Sequence, residues 1–320
     1  MPADRRPPSG LDGAGLLVID KPAGLTSHDV VARVRRLLGT RKVGHAGTLD
    51  PMATGVLVLG VERATKMLGL LSLTSKSYTA TMRLGQATDT DDADGLVTAA
   101  AGAPVLAPDA LAAALAALTG DLLQVPASVS ALKVDGQRAH ARVRAGEHLD
   151  LAARPVTVST FEVTATRSAQ VDGLAVTDLD VRVECGSGTY VRALARDLGD
   201  ALGTGGHLTA LRRTRVGVFG LKHARTLTQV ADDPRVSLDM DAAALTAFGR
   251  RDVDAGQAEI VSHGRWLPPV GIAGVHAAVD PQGRVVALLA ESGDRARTVM
   301  VVRPATLQQR PVTPRGTLPS

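Results

Sequence analysis

The sequence predicts a mixed α+β protein. Three observations carry this. Several short runs have strand spacing, two longer segments have helical apolar periodicity without strict alternation between the two kinds of element, and the texture changes near Asp233 to short apolar runs cut by Gly, Pro and Asp turns. The first two describe one larger domain over residues 11–232. The third predicts a small β-rich domain over residues 233–305.

In chain order, residues 1–10 are rich in Pro and Arg and are expected to be a disordered tail. Leu16 to Asp20 is an apolar strand ended by the turn signal Lys21-Pro22-Ala23-Gly24. A helix follows, capped by Thr26 or Ser27, with Val30, Val31, Val34, Leu37 and Leu38 on one face and Gly39 as its stop. Residues 41–54 have no periodicity and read as a loop; Val56 to Leu59 is a buried strand. Tyr78 to Leu84 alternates, placing Tyr78, Ala80, Met82 and Leu84 on one face. An acidic loop, Asp89 to Gly95, leads to a helix over Pro108 to Leu118. Val156 to Thr166 and Leu174 to Cys185 read as paired strands. Val191, Leu194, Ala195, Leu198 and Leu202 mark the second amphipathic helix. In the last domain, strands are expected at Ala258 to Val261, Val275 to Val279, Val285 to Leu289 and Thr298 to Val302, and 306–320 is expected to be a disordered tail.

With 320 residues, 45% hydrophobic and 21% charged, the chain has the balance of a soluble globular protein. Its six aromatic residues (Tyr78, Phe161, Tyr190, Phe219, Phe248 and Trp266) leave the core to Leu, Val, Ala and Ile. Trp266 is expected to anchor the small domain's core. One cysteine, Cys185, excludes an internal disulfide and a multi-cysteine metal site, so a reducing cytoplasm is the default location. No apolar run is long enough to span a bilayer. The net charge is +4 and 30 of the 36 basic residues are Arg, which favours a polyanionic partner. Calcium-loop chemistry does not fit the acidic loop, because framing it on Gly95 puts Thr90 and Ala101 where carboxylates are required.

The chemistry concentrates in Gly44-His45-Ala46-Gly47-Thr48-Leu49-Asp50-Pro51-Met52-Ala53-Thr54-Gly55. Pro51 pushes Asp50 towards an extended conformation, and the glycines allow a tight loop that a ligand can approach. A carboxylate fixed there can act as nucleophile, general base or metal ligand.

Together with Lys21-Pro22-Ala23-Gly24-Leu25-Thr26-Ser27 and Gly186-Ser187-Gly188-Thr189-Tyr190-Val191-Arg192, this segment resembles the TruB family of tRNA pseudouridine synthases. The resemblance runs in order through Ser75-Lys76-Ser77-Tyr78, Thr88-Asp89-Thr90-Asp91, Gln124-Val125-Pro126, Ser130-Ala131-Leu132-Lys133 and Gly206-His207-Leu208 to Leu211-Arg212-Arg213, over about the first 220 residues. It implies a pseudouridine synthase fold, with a mixed, largely antiparallel central sheet flanked by helices, followed by a PUA-like domain. It also implies isomerisation of uridine 55 in the T loop of tRNA, without cofactor or metal. Asp50 matches the family's catalytic carboxylate, and the resemblance leaves open whether it attacks ribose or base or removes a sugar proton. Tyr78 matches the tyrosine that stacks on the flipped uracil, and His45 the histidine that fills the vacated stack. Tyr190 and Arg192 match the active-site Tyr and Arg, Leu211 a leucine lining the uracil pocket, and Lys21 a lysine that supports the loop or meets phosphate.

A guanidinium suits a two-point clamp on a carboxylate, so Arg192 is expected to pair with Asp50 and keep it ionised, while Arg196 is expected to meet Asp200 at the surface. Phosphate contacts are expected from three clusters: Arg33, Arg35, Arg36, Arg41 and Lys42; Arg138, Arg142 and Arg144; and Arg212, Arg213 and Arg215. The expected partner is tRNA, held at the T stem-loop and, through the C-terminal domain, at the acceptor end. The protein is expected to be a monomer with no membrane contact and no obligatory protein partner. The alternative is a tRNA-binding or folding chaperone in which catalysis is secondary.

Overall fold

The computed structural model describes residues 11–103, 105–127, 133–134, 137–138 and 151–308. The elements in the first half are β1 (Gly15–Lys21), α1 (Ser27–Leu37), β2 (Val43–His45), β3 (Thr54–Val61), α2 (Leu68–Ser72), β4 (Lys76–Leu84), β5 (Ala87–Thr88), β6 (Val97–Ala99), α3 (Pro108–Ala117), β7 (Gly120–Gln124), β8 (Lys133–Val134) and β9 (Gln137–Arg138). The second half contributes β10 (Arg154–Val171), β11 (Leu174–Cys185), α4 (Val191–Ala201), β12 (Gly206–Val216), β13 (Phe219–Gly220), α5 (Leu227–Asp232), β14 (Leu238–Asp239), α6 (Met240–Ala247), β15 (Gly249–Asp252), α7 (Ala255–Ser262), β16 (Val275–Val279), β17 (Val285–Ser292), β18 (Arg295–Val301) and α8 (Ala305–Gln308).

The scaffold is a sheet of ten strands among the described residues, in the order β14-β1-β3-β12-β4-β11-β10-β7, with β2 beside β3 and β13 beside β12. Only the β3–β12 pairing within it is parallel. The expectation of a mixed, largely antiparallel sheet therefore holds.

The continuous apolar runs of β1 and β3 follow from burial on both faces. Leu17, Ile19, Leu57 and Leu59 face the core that α1 and α4 cover. Leu16, Val18, Val56 and Val58 face a second core, shared with α6 and with the C-terminal residues Ala277, Val279, Val285 and Leu288. Alternation in β4 puts Tyr78, Ala80, Met82 and Leu84 in the first core. Helix α1 starts with a capping box, Thr26 Oγ1 accepting from the Asp29 amide and the Asp29 carboxylate from the Thr26 amide.

The small domain is a second sheet, β15-β16-β17-β18. Three expectations change here. Ala258 to Val261 lies in helix α7 and is not a strand, because Asp254 and Gln257 form a capping box that starts a helix ahead of it. Trp266 is 48% exposed and carries the Arg295 guanidinium 4.7 Å above its ring, while Leu267 takes the core position. The change of sheet falls at Gly249 and not at Asp233, since β14 pairs with β1. At the C-terminal end, α8 begins at Ala305 and runs to Gln308, into the stretch expected to lack order, and 309–320 lie outside the described residues with 1–10.

Helix α4 lies directly on the entry to β12. A Cβ added at Gly199 would sit 2.2 Å from the backbone carbon of Gly205 and the nitrogen of Gly206. Alanine in place of a helical glycine ordinarily stabilises by about 1 kcal/mol. Here we expect Gly199→Ala to destabilise by about 2 kcal/mol or more through overpacking, measured by urea unfolding; equal or greater stability of the variant refutes backbone contact as the reason for this glycine.

Candidate active site

The cleft opens between the loop after β2 and the N-terminus of α4. Its wall includes Gly47, Thr48, Leu49, Asp50, Lys76, Tyr78, Ser187 to Arg192, Leu211 and Arg213, around a volume of about 260 Å³. Asp50, Tyr78, Tyr190, Arg192 and Leu211, separated by up to 161 positions in sequence, thus line one cleft.

The loop bearing Asp50 is held from beneath. The Lys21 side chain is fully enclosed, and its Nζ donates to the carbonyls of Pro22 (2.9 Å), Leu25 (2.7 Å) and Pro51 (3.2 Å). With its three protons directed at backbone oxygens, Lys21 supports the loop and does not reach a phosphate. This decides between the two roles that the resemblance gives it. Ser27 Oγ accepts from the Leu49 amide (2.9 Å) and donates to its carbonyl (3.2 Å). Arg213, also buried, donates to the carbonyls of Val56 (2.8 Å), Thr48 (3.1 Å) and Gly47 (3.1 Å). Gly55 has φ +101°, and a Cβ there would meet the Arg213 carbonyl at 2.2 Å, so the loop's return to β3 requires glycine.

The expected ion pair is present. Arg192 Nε lies 3.0 Å from Asp50 Oδ2, and Nη2 donates to Oδ1 at 3.2 Å. Nη1 of the same guanidinium donates to the Thr90 carbonyl at 2.8 Å and lies 3.2 Å from Asp92 Oδ2. Arg192 is therefore shared between two carboxylates, the second supplied by the acidic loop. Asp92 is fixed in turn by the Thr90 hydroxyl (2.6 Å) and the Asp94 amide (3.1 Å). Sequence reasoning placed this loop within the family pattern but gave it no partner; no local spacing links residue 92 to residue 192.

Burial pushes the Asp50 carboxyl above its ordinary range; Arg192 opposes this, Asp92 adds to it, and Lys21 opposes it. The Lys21 ammonium is itself pulled down to about 8 by burial, with Asp50 opposing. Burial also raises the Tyr78 phenol, leaving it protonated at neutral pH, in hydrogen-bond contact with Arg213. Lys76 forms another wall of the cleft, its Nζ donating to the carbonyls of Ser72 and Thr74, both at 3.0 Å.

His45 does not line this cleft. It ends β2 opposite Leu59, partly exposed, edge-on to His28 with ring centroids 5.6 Å apart. The phosphate clusters are also revised. Arg212 forms a two-point pair with Asp20 (3.0 and 2.7 Å), Arg213 is the buried loop support, and Arg215 meets Glu184 and Ser75. That group is paired with protein acceptors, with Arg213 buried and the Arg212 and Arg215 side chains about a third exposed. Arg33, Arg36, Arg41 and Lys42 remain exposed, as does Arg35 while bonding the Val43 carbonyl. Arg142 and Arg144 lie outside the described residues, and only the backbone of Arg138 is described. Arg196 pairs with Asp91 and Asp197 instead of Asp200, because Asp91 is brought under α4 by the acidic loop.

The cleft on this largely antiparallel sheet carries an arginine-paired carboxylate and two tyrosines among its lining residues, and the comparisons identify the class as pseudouridine synthase. The N-terminal domain of the TruB family of pseudouridylate synthases matches residues 35–191, the C-terminal domain of tRNA pseudouridylate synthase B matches 192–247, and the C-terminal domain of tRNA pseudouridine synthase II matches 248–303. The chain is 68% identical to tRNA pseudouridine synthase B of Rhodococcus jostii, over 96% of this chain and all of the relative. It is 59% identical to that of Mycobacteroides abscessus, over 93% and 99%. Among solved structures it is similar to a chain of a Cbf5–Nop10–Gar1 complex, with TM-score 0.67 and 25% identity over 96% of this chain and 90% of that one. The chain belongs to the TruB family, enzymes that isomerise uridine in tRNA to pseudouridine.

Replacing Arg192 by Lys keeps a charge but loses the planar clamp. We expect the single-turnover rate to fall by about a hundredfold through misaimed Asp50, while tRNA affinity, carried mainly by phosphate contacts, changes by about twofold or less. With an ionised Asp50 as the acting group, activity is expected to be lost as pH falls through its raised pKa, which puts the acidic limb of the rate profile above the ordinary aspartate value of about 3.9. Arg192 lowers that pKa, so Arg192→Lys moves the limb to higher pH. An unchanged rate and limb refute the assignment.

Proposed function

We propose that this enzyme modifies the uridine at position 55 of the tRNA T loop, bound flipped out in the cleft, with Asp50 as the catalytic carboxylate. The observation that carries this reading is the Asp50 carboxylate itself, clamped by Arg192 and facing a cleft whose walls include Tyr78, Tyr190 and Leu211. The glycosidic bond from ribose C1′ to uracil N1 breaks, the base turns, and a bond from C1′ to C5 forms. The C5 hydrogen leaves to water and N1 takes up a proton, so the reaction needs no net oxidant or reductant.

Asp50 lies among the lining residues of a cleft, and a base within a helical stack reaches such a carboxylate by leaving the stack. Tyr78, buried on β4 with a protonated phenol, offers a ring for the extruded base. Leu211, on the neighbouring β12, supplies an apolar wall. His45, displaced from the cleft and partly exposed, is suited to the stack that the nucleotide vacates. The exposed cations of α1 and the following turn, Arg33, Arg36, Arg41 and Lys42, are open to the T-arm phosphates. The C-terminal domain extends the contact towards the acceptor end, where exposed Trp266 and Arg295 present a stacking surface.

The test is tritium release from a tRNA transcript carrying 5-tritiated uridine, since bonding at C5 expels that hydrogen. Release is expected from wild type, loss of at least about a thousandfold in Asp50→Ala with binding retained, and no release when the T-loop uridine is cytidine. Tight binding without release by wild type overturns the catalytic reading in favour of a binding or chaperoning role.

A further inference from the structure

Gln124 ends β7, an edge strand, and does not line the cleft. Its side chain is nevertheless only 3% exposed. Its Oε1 accepts from the Tyr190 amide at 2.8 Å and its Nε2 donates to the Tyr190 carbonyl at 3.1 Å. Only one orientation of the amide satisfies both bonds, since Tyr190 N–H can only donate and its carbonyl can only accept. A primary amide thus pairs with both polar groups of one residue 66 positions away, as a neighbouring strand would.

Tyr190 is the N-cap of α4, and its own side chain makes no capping hydrogen bond to the helix. Its φ and ψ, −102° and 108°, set two directions at once. One is that of the tyrosine side chain on the cleft wall. The other is the start of the helix whose second residue, Arg192, grips Asp50. One residue beyond Gln124, the Val125 carbonyl accepts from Arg196 Nη2 at 2.8 Å, one turn beyond Arg192 on α4. Arg196 also reaches Asp91, beside the Asp92 that shares Arg192. The end of β7 therefore holds α4 on both sides of the catalytic arginine.

We infer that Gln124 is a positioning residue for the isomerisation: by fixing the backbone of Tyr190 it aims Tyr190 and keeps Arg192 aligned on Asp50. Its effect on turnover rests on the function proposed above. Its effect on the Asp50–Arg192 pair does not. Loosening that pair weakens the stabilisation of the charged carboxylate, so Asp50 must titrate at higher pH when Gln124 is lost, whereas a purely architectural glutamine changes the amount of folded protein and leaves the titration where it was.

The variants are Gln124→Met, of similar length and without either hydrogen bond, and Gln124→Glu, which at neutral pH keeps the acceptor and loses the donor. Asp50 is followed by ¹³C NMR of carboxyl-labelled aspartate, assigned through Asp50→Asn, in protein shown to be folded by its unfolding transition. In parallel, single-turnover rate against pH and tRNA affinity are measured. In Gln124→Met the Asp50 titration and the acidic limb are expected to move to higher pH, with the rate falling by about ten- to a hundredfold and affinity unchanged within about twofold. Gln124→Glu is expected to show the same direction of shift, because the Tyr190 carbonyl then faces a carboxylate. An Asp50 titration that coincides with wild type in a folded variant overturns the inference, whatever the rate does. A shifted titration with an unchanged rate overturns its catalytic part alone. Should Gln124→Met not fold, the titration in Gln124→Leu, which also removes both hydrogen bonds without adding a charge, decides in the same way.

Discussion

The structure turns on the burial of one guanidinium. Arg192 has a side chain only 5% exposed, and a charge removed from water to that extent is tolerated only when its donors are met by well-placed acceptors. Here Nη1 donates to the Thr90 carbonyl and Nη2 to one Asp50 oxygen, while the second Asp50 oxygen and an Asp92 oxygen lie at ion-pair distance. The partners come from two distant parts of the chain: Asp50 from the loop between β2 and β3, and Thr90 and Asp92 from the acidic loop after β5, both converging on the first turn of α4. An ion pair of this kind stabilises the fold weakly, because desolvation offsets much of the Coulomb attraction. It specifies geometry instead, since misplacing any one partner leaves an uncompensated charge.

That requirement accounts for the density of backbone ties beneath the cleft. Lys21 and Arg213 are both charged and both among the largest fully buried side chains, and each directs its protons to main-chain carbonyls of the Asp50 loop or its flanks. A loop without secondary structure has carbonyls that a strand would have satisfied. Buried cations satisfy them here, and one of them, Lys21, also contributes positive potential near Asp50. Coulomb attraction from Lys21 is one of the effects that oppose the rise in the Asp50 pKa caused by burial. Structural support and electrostatic tuning are therefore carried by the same atoms.

Local pattern revealed those elements whose residues are constrained by one neighbouring layer. The alternation of β4, the apolar face of α1 and the pairing of β10 with β11 all follow from period and turn chemistry. Asp50 and Arg192 were legible through motif resemblance and the chemistry of a planar clamp. What stayed illegible depended on long-range partners. Arg212, Arg213 and Arg215 form a basic run in the sequence, yet alternation between Arg212 and Arg213 and a register shift between Arg213 and Arg215 send them to different environments, and their partners Asp20, Thr48 and Glu184 are distant in the chain. The Ala258 to Val261 run is apolar enough for a strand, but the capping box before it decides for helix. Trp266 fails as a core residue because Leu267, its immediate neighbour, takes the inward position at the bridge to Ala296.

The small C-terminal domain follows the same logic of shared burial. Met240, Ala243 and Ala244 of α6 pack in one continuous cluster with Val18 and Val58 of the large sheet and with Val279 and Leu288 of the small one. Arg63, in the turn after β3, donates to the Val301 carbonyl of β18, and Arg303 makes a two-point pair with Asp241 at the start of α6. An apolar core shared across two sheets resists sliding through its area, while the arginine ties fix register through direction. The face of β1 and β3 opposite α1 is thus occupied by the second domain. The substrate cleft lies beside the loop between these strands, so the packing that fixes the C-terminal domain also supports the backbone from which Asp50 is presented.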